Sequence, residues 1–380
     1  MKCLHVVNIS FVLPYYIGDQ FDNFQKLGLK TYVACSPSEH LKQYSIEKKF
    51  NPIFVDILRE INPVSDLKAI LFLRRKINEE QIDIVIGHTP KGAMIAMIAA
   101  YLAGVNKRIY FRHGIMYETS KGTKAFLLKT IEKLTGKLAT KVVCVSKSVI
   151  EKSITENLNK PCKNILLNLG TCNGIDSIRF SKQNITASSQ IFLREKYQIK
   201  LEDRIVGYVG RLVNDKGINE LISAWKIIKQ KRGDVKLLLV GPFEARDSIS
   251  EKLKQLIKAD NSIIHTGLIS DVLPYYGLMD IFILPSYREG FPTVVLEASS
   301  MAIPIITTRS TGCVDSIVEN ETGVYCDLSP IDIADKIGFY LSNKNIATRH
   351  GENGRDFVVN NFQQEIIWKE IETKVLEISR

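Results

Sequence analysis

The chain lacks the marks of several protein classes. Its seven cysteines, at 3, 35, 144, 162, 172, 313 and 326, are odd in number and form no CxxC pair. This argues against a disulfide framework or a cysteine-held metal and for a reducing, cytoplasmic compartment. The longest apolar stretch, residues 93 to 105, spans 13 residues, too few to cross a bilayer and suited to a buried helix. The opening MKCLHVVNISFVLPYY is interrupted by His5, Asn8 and Ser10 and has no small-residue cleavage pattern, so it reads as a strand and loop, not a secretory leader. There is no internal repeat, no GxxxxGK[ST] loop and no GxGxxG fingerprint. Zinc spacing, a KH loop and an aromatic stacking motif are also missing, which removes the usual accompaniments of nucleic-acid binding.

What is present is a 380-residue chain that is 45% hydrophobic, enough for a full core and long enough for two domains. Its net charge of +10 is unevenly placed. Residues 1–180 hold 26 Lys or Arg against 15 Asp or Glu, whereas residues 181–380 hold 25 against 26. A basic first half can attract nucleic acid, an anionic lipid surface or a phosphate-bearing substrate, and by itself it does not choose among them.

Apolar runs separated by helical periods dictate an α/β class. LHVVNIS, KTYVACS, NPIFVDI, IDIVIGH, KRIYFRHG and KVVCVS read as strands, with helices over 19–27, 63–80 and 92–102. A polar connection, 173–202, precedes a second series, RIVGYVGRL, VKLLLVG, NSIIHTGL, DIFILPS, IPIITT and GVYCDL. Helices are expected there over 217–230, 247–259, 271–278, 292–300, 331–341 and 346–359. Ile366, Ile367, Ile371, Val375 and Ile378 follow a helical period and predict an amphipathic terminal helix. Such βαβ series form parallel sheets whose ligands lie beyond the carboxyl ends of the strands, where His88 and His113 fall. The boundaries expected are 1–172 for a first Rossmann-like domain, 173–202 for a connection, 203–362 for a second such domain and 363–380 for the terminal helix.

Two stretches carry candidate chemistry. In DIFILPSYREGFPTVVLEASS, residues 280–300, a strand passes through a loop bearing Glu289 and Gly290 into a helix that Pro292 opens and that carries Glu297. The backbone N–H groups of Gly290, Phe291 and Thr293 at that turn suit a phosphate or a polar sugar. In GYVGRLVNDKG, residues 207–217, Arg211 and Lys216 follow a strand end between glycines, so a forked and a mobile cation meet a phosphate-accessible backbone.

Both stretches, with ILPS and ASSMAIPII beside them, resemble the family 4 retaining glycosyltransferases, whose acidic motif has two glutamates at the spacing of 289 and 297. The resemblance implies a GT-B fold, two Rossmann-like domains facing across a cleft, with a C-terminal crossover helix. It implies that Arg211 and Lys216 neutralise the diphosphate of a UDP-sugar donor, that Glu289 contacts the transferred sugar and that Glu297 contacts the ribose. Leu268 and Ile269, in IIHTGLIS, correspond to the segment beside the base, and His265 is structural. Gly18 matches the amino-terminal loop glycine near the donor phosphate, although IGDQ has one glycine where many relatives have two. His113 in YFRHGIMYE matches the histidine facing the donor sugar, in the form found in transferases that extend polyprenyl-diphosphate-linked glycans. His88, Lys91 and Arg112, near strand ends in the basic half, are acceptor-side candidates or equally scaffold or surface groups. No metal, and no cofactor beyond the donor, is expected, in line with the lack of a DxD-like motif.

The function implied is transfer of a sugar, an N-acetylated hexose among the candidates, to a polyprenyl-diphosphate-linked saccharide in bacterial surface-polysaccharide assembly (capsule or O-antigen). The first domain would bind the acceptor and the second the nucleotide-sugar. Residues 122–141 mix Phe126, Leu127, Leu128, Ile131, Leu134 and Leu138 with Lys124, Lys129, Lys133 and Lys137. That composition suits a peripheral site on an anionic membrane, here the cytoplasmic face of the inner membrane, or equally a plain cover for the sheet. A transferase with a soluble acceptor and a non-catalytic nucleotide-sugar-binding regulator fit the same residues; nucleic acid is not expected as a partner.

Overall fold

The computed structural model describes residues 1–60 and 62–378. The chain divides into two compact units, residues 1–174 with 364–380 and residues 175–363. In the first unit seven strands form one parallel sheet: β1 (Lys2–Val6), β2 (Lys30–Cys35), β3 (Asn51–Phe54), β4 (Ile84–Gly87), β5 (Lys107–Arg112), β6 (Lys141–Cys144) and β7 (Asn164–Ile165). Their order is β3-β2-β1-β4-β5-β6-β7. The second sheet holds β8 (Arg204–Val209), β9 (Val235–Val240), β10 (Ile263–His265), β11 (Ile281–Leu284), β12 (Ile305–Thr308) and β13 (Gly323–Cys326), in the order β10-β9-β8-β11-β12-β13. The central strands are apolar runs, such as the fully buried IVIG of β4 and IFIL of β11, because helices cover both faces of a parallel sheet. Each sheet reverses its strand order once, between β1 and β4 and between β8 and β11. Polar side chains delivered to the carboxyl ends there stand at the topological switch point where α/β sheets bind ligands.

Local signals set the helix limits. Helix Pro63–Glu80 starts where Asn62 accepts the Ser65 N–H and Pro63 takes the first turn, and stops where Gln81 turns left-handed at φ 52°. Three further helices, Glu39–Glu47, Lys147–Thr155 and Ala187–Lys196, are less apparent in the sequence because they are short and polar. Each is announced by a hydroxyl cap: Ser38, Ser146 and Thr186. The last lies within the stretch that reads as a polar connection. Its Leu193 is buried in the second unit's core together with Phe180 and Ile199. The helix expected over 271–278 is a single turn, Leu273–Tyr276, since Pro274 and Gly277 leave little room for more.

The terminal segment is helical over Gln364–Glu370 and then widens into a π-type turn at Ile371–Leu376. It belongs to the first unit, so the chain crosses back after completing the second. Ile367, Ile371, Val375 and Leu376 are buried there. Trp368 Nε1 donates to Asn173 Oδ1 at 2.8 Å and Asn23 Nδ2 to Glu372 Oε1 at 2.8 Å.

Candidate active site

In the second unit the loops after β8, β11 and β12 converge. Gly217 holds φ +70° and packs so tightly on the Pro285 carbonyl that a Cβ would collide with it. Gly312, at φ +79°, leaves a Cβ only 2.5 Å from the Gly290 carbonyl. Glycine is required at both by conformation and by close approach. The result brings Lys216 onto Glu289, the two forming an ion pair with each side chain only 14% exposed. Ser286 Oγ donates to Glu289 Oε1 at 2.8 Å, and the Glu289 N–H donates to the Thr311 carbonyl at 2.8 Å. Arg288 pairs with Asp215 at 3.0 Å beneath this contact.

Arg211 leaves the end of β8 and pairs with Glu244, its side chain half exposed. Both cations expected at a diphosphate are therefore presented at the strand ends with carboxylates beside them. A bound phosphate would have to compete with Glu244 and Glu289 for those donors.

Helix Thr293–Ser300 follows, with Pro292 at its cap position, a residue that offers the first turn no side-chain acceptor. Gly290 is buried, and the Phe291 ring lies 5.3 Å from that of Phe362, so Phe291 anchors the loop through its side chain. Glu297 faces Tyr276, whose hydroxyl donates to Oε2 at 2.7 Å. Burial pushes the Glu297 carboxyl up to about 7, against the opposing pull of the Tyr276 hydrogen bond and the charge of Arg179. Leu268 is 67% exposed beside Gly267, whereas Ile269 packs on the core. His265 donates from Nε2 to the Gly241 carbonyl at 2.8 Å and packs against Phe243 with the ring planes tilted by 47°, a structural arrangement.

In the first unit His113 follows β5 and lies under the Tyr16 ring, with centroids 3.6 Å apart and planes 6° from parallel. Its Nε2 is 3.0 Å from His88 Nδ1. Gly18 turns left-handed at φ +53° and its N–H donates to the Leu13 carbonyl at 3.0 Å, so this glycine closes the short helix Leu13–Tyr16. A Cβ there would press on the Pro14 carbonyl at 2.6 Å.

Two residues expected on the acceptor side have other work. Lys91 is buried against Asp66 Oδ2 at 2.5 Å and the Glu60 carbonyl at 2.8 Å. Arg112 is fully buried, with Nε on Glu132 at 3.1 Å and Nη1 on Ser153 at 2.7 Å and Asn159 at 2.8 Å. Alternation along the strand explains the second: Phe111 and His113 share one face, and Arg112 must enter the other.

Several partners that shape these sites were not legible in the sequence. Glu244 and Tyr276 lie 33 and 21 residues from their partners, and Ser286, although in ILPS, has no role assigned by sequence. His5 had one readable signal, since Cys3 and His5 sit two residues apart on β1 and so on one face. Among the described residues, no group of three His, Cys, Asp or Glu side chains could hold a metal ion.

Comparison with known proteins assigns the family. Residues 5–146 match the family described as glycosyl transferase 4-like, and residues 189–357 match glycosyl transferases group 1. The chain is 36% identical over 374 residues to the capsular polysaccharide biosynthesis glycosyltransferase CapM of Staphylococcus aureus, covering 98% of this chain and 96% of that one. It is 27% identical over 336 residues to the Escherichia coli UDP-Gal:alpha-D-GlcNAc-diphosphoundecaprenol alpha-1,3-galactosyltransferase, covering 87% and 84%. The fold superposes on Anabaena Alr3699/HepE in complex with UDP-glucose with a TM-score of 0.83 at 17% identity, over 100% of both chains. With two parallel Rossmann-type sheets, a terminal segment returning to the first unit and a full-length relative at this identity, the chain belongs to the family 4 glycosyltransferases of GT-B fold.

Proposed function

We propose that this enzyme transfers a sugar, with retention of anomeric configuration, from a UDP-sugar to a hydroxyl of a polyprenyl-diphosphate-linked saccharide during bacterial surface-polysaccharide assembly. The observation that carries the reading is the pairing of Lys216 with Glu289 at the β8–β11 switch point, where one loop cluster offers a phosphate cation and a sugar acceptor together. The names of the S. aureus and E. coli relatives, a capsular transferase and a UDP-Gal transferase acting on a diphosphoundecaprenol glycan, support the substrate classes. An N-acetylated hexose is the donor sugar we place first.

In the proposed reaction the bond between the anomeric carbon and the β-phosphate oxygen breaks while the acceptor oxygen bonds to that carbon on the same face. The acceptor proton passes to the departing phosphate oxygen. Arg211 and Lys216 meet the charge growing on UDP. Glu289 and an N–H of His113 hold sugar hydroxyls, and the Glu297 carboxylate accepts from the ribose diol, which needs a group with no proton of its own. Gly290 and Thr293 offer backbone N–H groups to sugar and phosphate. Leu268 and Ile269 flank the base, and Gly18 shapes the loop on the phosphate side.

The second part of the proposal is attachment at an anionic membrane surface. No described helix is long and apolar enough to cross a membrane. Helix Gly122–Leu138, however, buries Glu132 and Thr135 and turns Phe126 (75% exposed), Leu127 and Leu134 outward among Lys124 and Lys133. An apolar stripe on the outer face of a lysine-rich helix suits lipid headgroups over an acyl boundary. Lys129 is excluded from this face, since it pairs with Glu156 at 2.5 Å.

The test is a donor panel (UDP-GalNAc, UDP-GlcNAc, UDP-Gal and UDP-Glc) with short-prenyl-diphosphate glycan acceptors, reading product mass and the anomeric coupling constant. Transfer with an α-linked product supports the proposal. An inverted product overturns retention, and UDP-sugar binding without transfer to any prenyl-linked acceptor overturns the acceptor class.

A further inference from the structure

Three histidines of the first unit form a continuous hydrogen-bonded file across its central strands. His5 Nδ1 lies 3.1 Å from His88 Nε2, and His88 Nδ1 lies 3.0 Å from His113 Nε2. At the inner end His5 Nε2 lies 3.6 Å from Cys3 Sγ. The file runs over the neighbouring strands β1, β4 and β5, and each ring plane is held by an aromatic neighbour. Phe24 stacks on His5 at 5.7 Å, Phe111 on His88 at 5.1 Å and Tyr16 on His113 at 3.6 Å.

Burial keeps every member neutral. The His5 and His113 imidazoles are each pulled down to about 3, His88 is held well below the usual imidazole range by desolvation and by its two neighbours, and the Cys3 thiol is pushed up to about 12. A neutral imidazole has one N–H and one bare nitrogen. Because His5 and His88 each use both nitrogens inside the file, every bond in it must point the same way.

The cysteine chooses the direction. A buried thiol is a donor with one proton, and its sulfur is a weak acceptor. If Cys3 donates to His5 Nε2, the thiol and the His5 and His88 N–H groups each have a nitrogen acceptor, and the one hydrogen left over, His113 Nδ1–H, sits on the half-buried ring at the outer end of the file. In the reverse direction the His5 N–H is left on sulfur and the thiol proton has no partner in the file, which is costly for buried groups.

We infer that Cys3, His5 and His88 are positioning residues that hold His113 as the Nδ1–H tautomer, so that this histidine meets the transferred sugar as a hydrogen-bond donor and never as a base. The inference rests on the reading in which His113 touches the sugar, and it adds the reason for that group's polarity. All three histidines are then Nδ1–H forms, the minority tautomer of free neutral imidazole in water.

The test is long-range 15N–1H correlation spectroscopy on the full chain with 15N-labelled histidine, which reads the protonated nitrogen of each ring independently of activity. The expected result is Nδ1–H at His5, His88 and His113 in the wild type. Cys3→Ala should release the lock and give mixed tautomers at His113, with kcat falling on the order of tenfold and the Kd for UDP unchanged, since a wrongly held imidazole tautomer weakens catalysis without disturbing binding. Cys3→Ser, which keeps a donor, should restore both signals. His88→Phe keeps the ring and removes both nitrogens, and should cut kcat at least as far. An Nε2–H signal at His113 in the wild type overturns the inference, as does Cys3→Ala with an unaltered His113 tautomer. Full activity in His113→Ala would instead sink the sugar contact itself, whatever the tautomers show.

Discussion

The two sheets share a topology and differ in what they place at the switch point. At β1 and β4 the first unit sets neutral imidazoles in a buried file, closed by aromatic rings. At β8 and β11 the second unit sets Lys216 against Glu289 in a part-buried pair and the half-exposed Arg211 against Glu244. Where the first unit does carry a strand-end charge, Arg112, it turns inward and is matched by Glu132. The same strand-end geometry is thus used once for groups that keep their protons and once for charges that must neutralise a diphosphate. Desolvation decides between them, because an uncompensated buried charge is expensive while a surface pair can rearrange.

The largest expected effect breaks the structural side of this contrast. Glu132→Ala leaves Arg112 buried without its carboxylate and should cost about 3–5 kcal/mol of stability, read by urea unfolding. A change under ~1 kcal/mol would mean that the Arg112 charge is compensated elsewhere.

Next comes the functional side. Lys216→Ala should lower kcat by more than about tenfold with an unchanged circular-dichroism spectrum, since one preorganised donor is worth about 2.7 to 4 kcal/mol. Arg211→Ala should follow the same direction with a smaller loss, its side chain being half exposed and paired with Glu244. Wild-type turnover in both variants would remove the two cations from the diphosphate.

A third experiment separates the glutamates. Glu289→Gln should lower transfer more than UDP affinity, and Glu297→Gln should chiefly weaken UDP. Since Glu297 titrates at about 7, wild-type UDP affinity should rise as pH increases from 6 to 8 and the carboxylate appears. The Glu297→Gln profile should lack that rise, and calorimetry at several pH values compares the two. Stability carries the opposite sign. The folded value lies above the ordinary 4.5, so this group's contribution is fully present below that ordinary value and is lost as pH rises through about 7.

The smallest effect concerns helix Gly122–Leu138. Changing Lys124 and Lys133 together to Gln should weaken co-sedimentation with anionic vesicles by about 1 kcal/mol per lysine at low salt and leave transfer to a soluble short-prenyl acceptor intact. Salt-independent vesicle binding equal to wild type would reject the electrostatic part of the membrane proposal.

Much of the fold could be read from residue order alone. Apolar runs of four to six residues alternating with helical periods point to parallel sheets, Pro63 and Pro292 mark helix starts, and Gly217 holds a left-handed turn that few other residues adopt. The positions of Arg211, Lys216 and Glu289 in the loops after strands and of Glu297 in the second turn of helix Thr293–Ser300 follow from the same local rules. What they touch does not. The union of Lys216 with Glu289 spans 73 residues and that of Tyr276 with Glu297 spans 21, and neither follows from any local periodicity.

Arg112 and Lys91 read as acceptor-side candidates because a sequence shows charge and not burial, and the packed interior turned each into one half of a buried pair. The histidine file is the clearest case. Sequence alone placed His88 and His113 at strand ends, but only the strand order β1-β4-β5 puts His5 between Cys3 and His88. A residue's chemical type is local, whereas its protonation and its partner depend on which strands the fold makes neighbours and how far they exclude water.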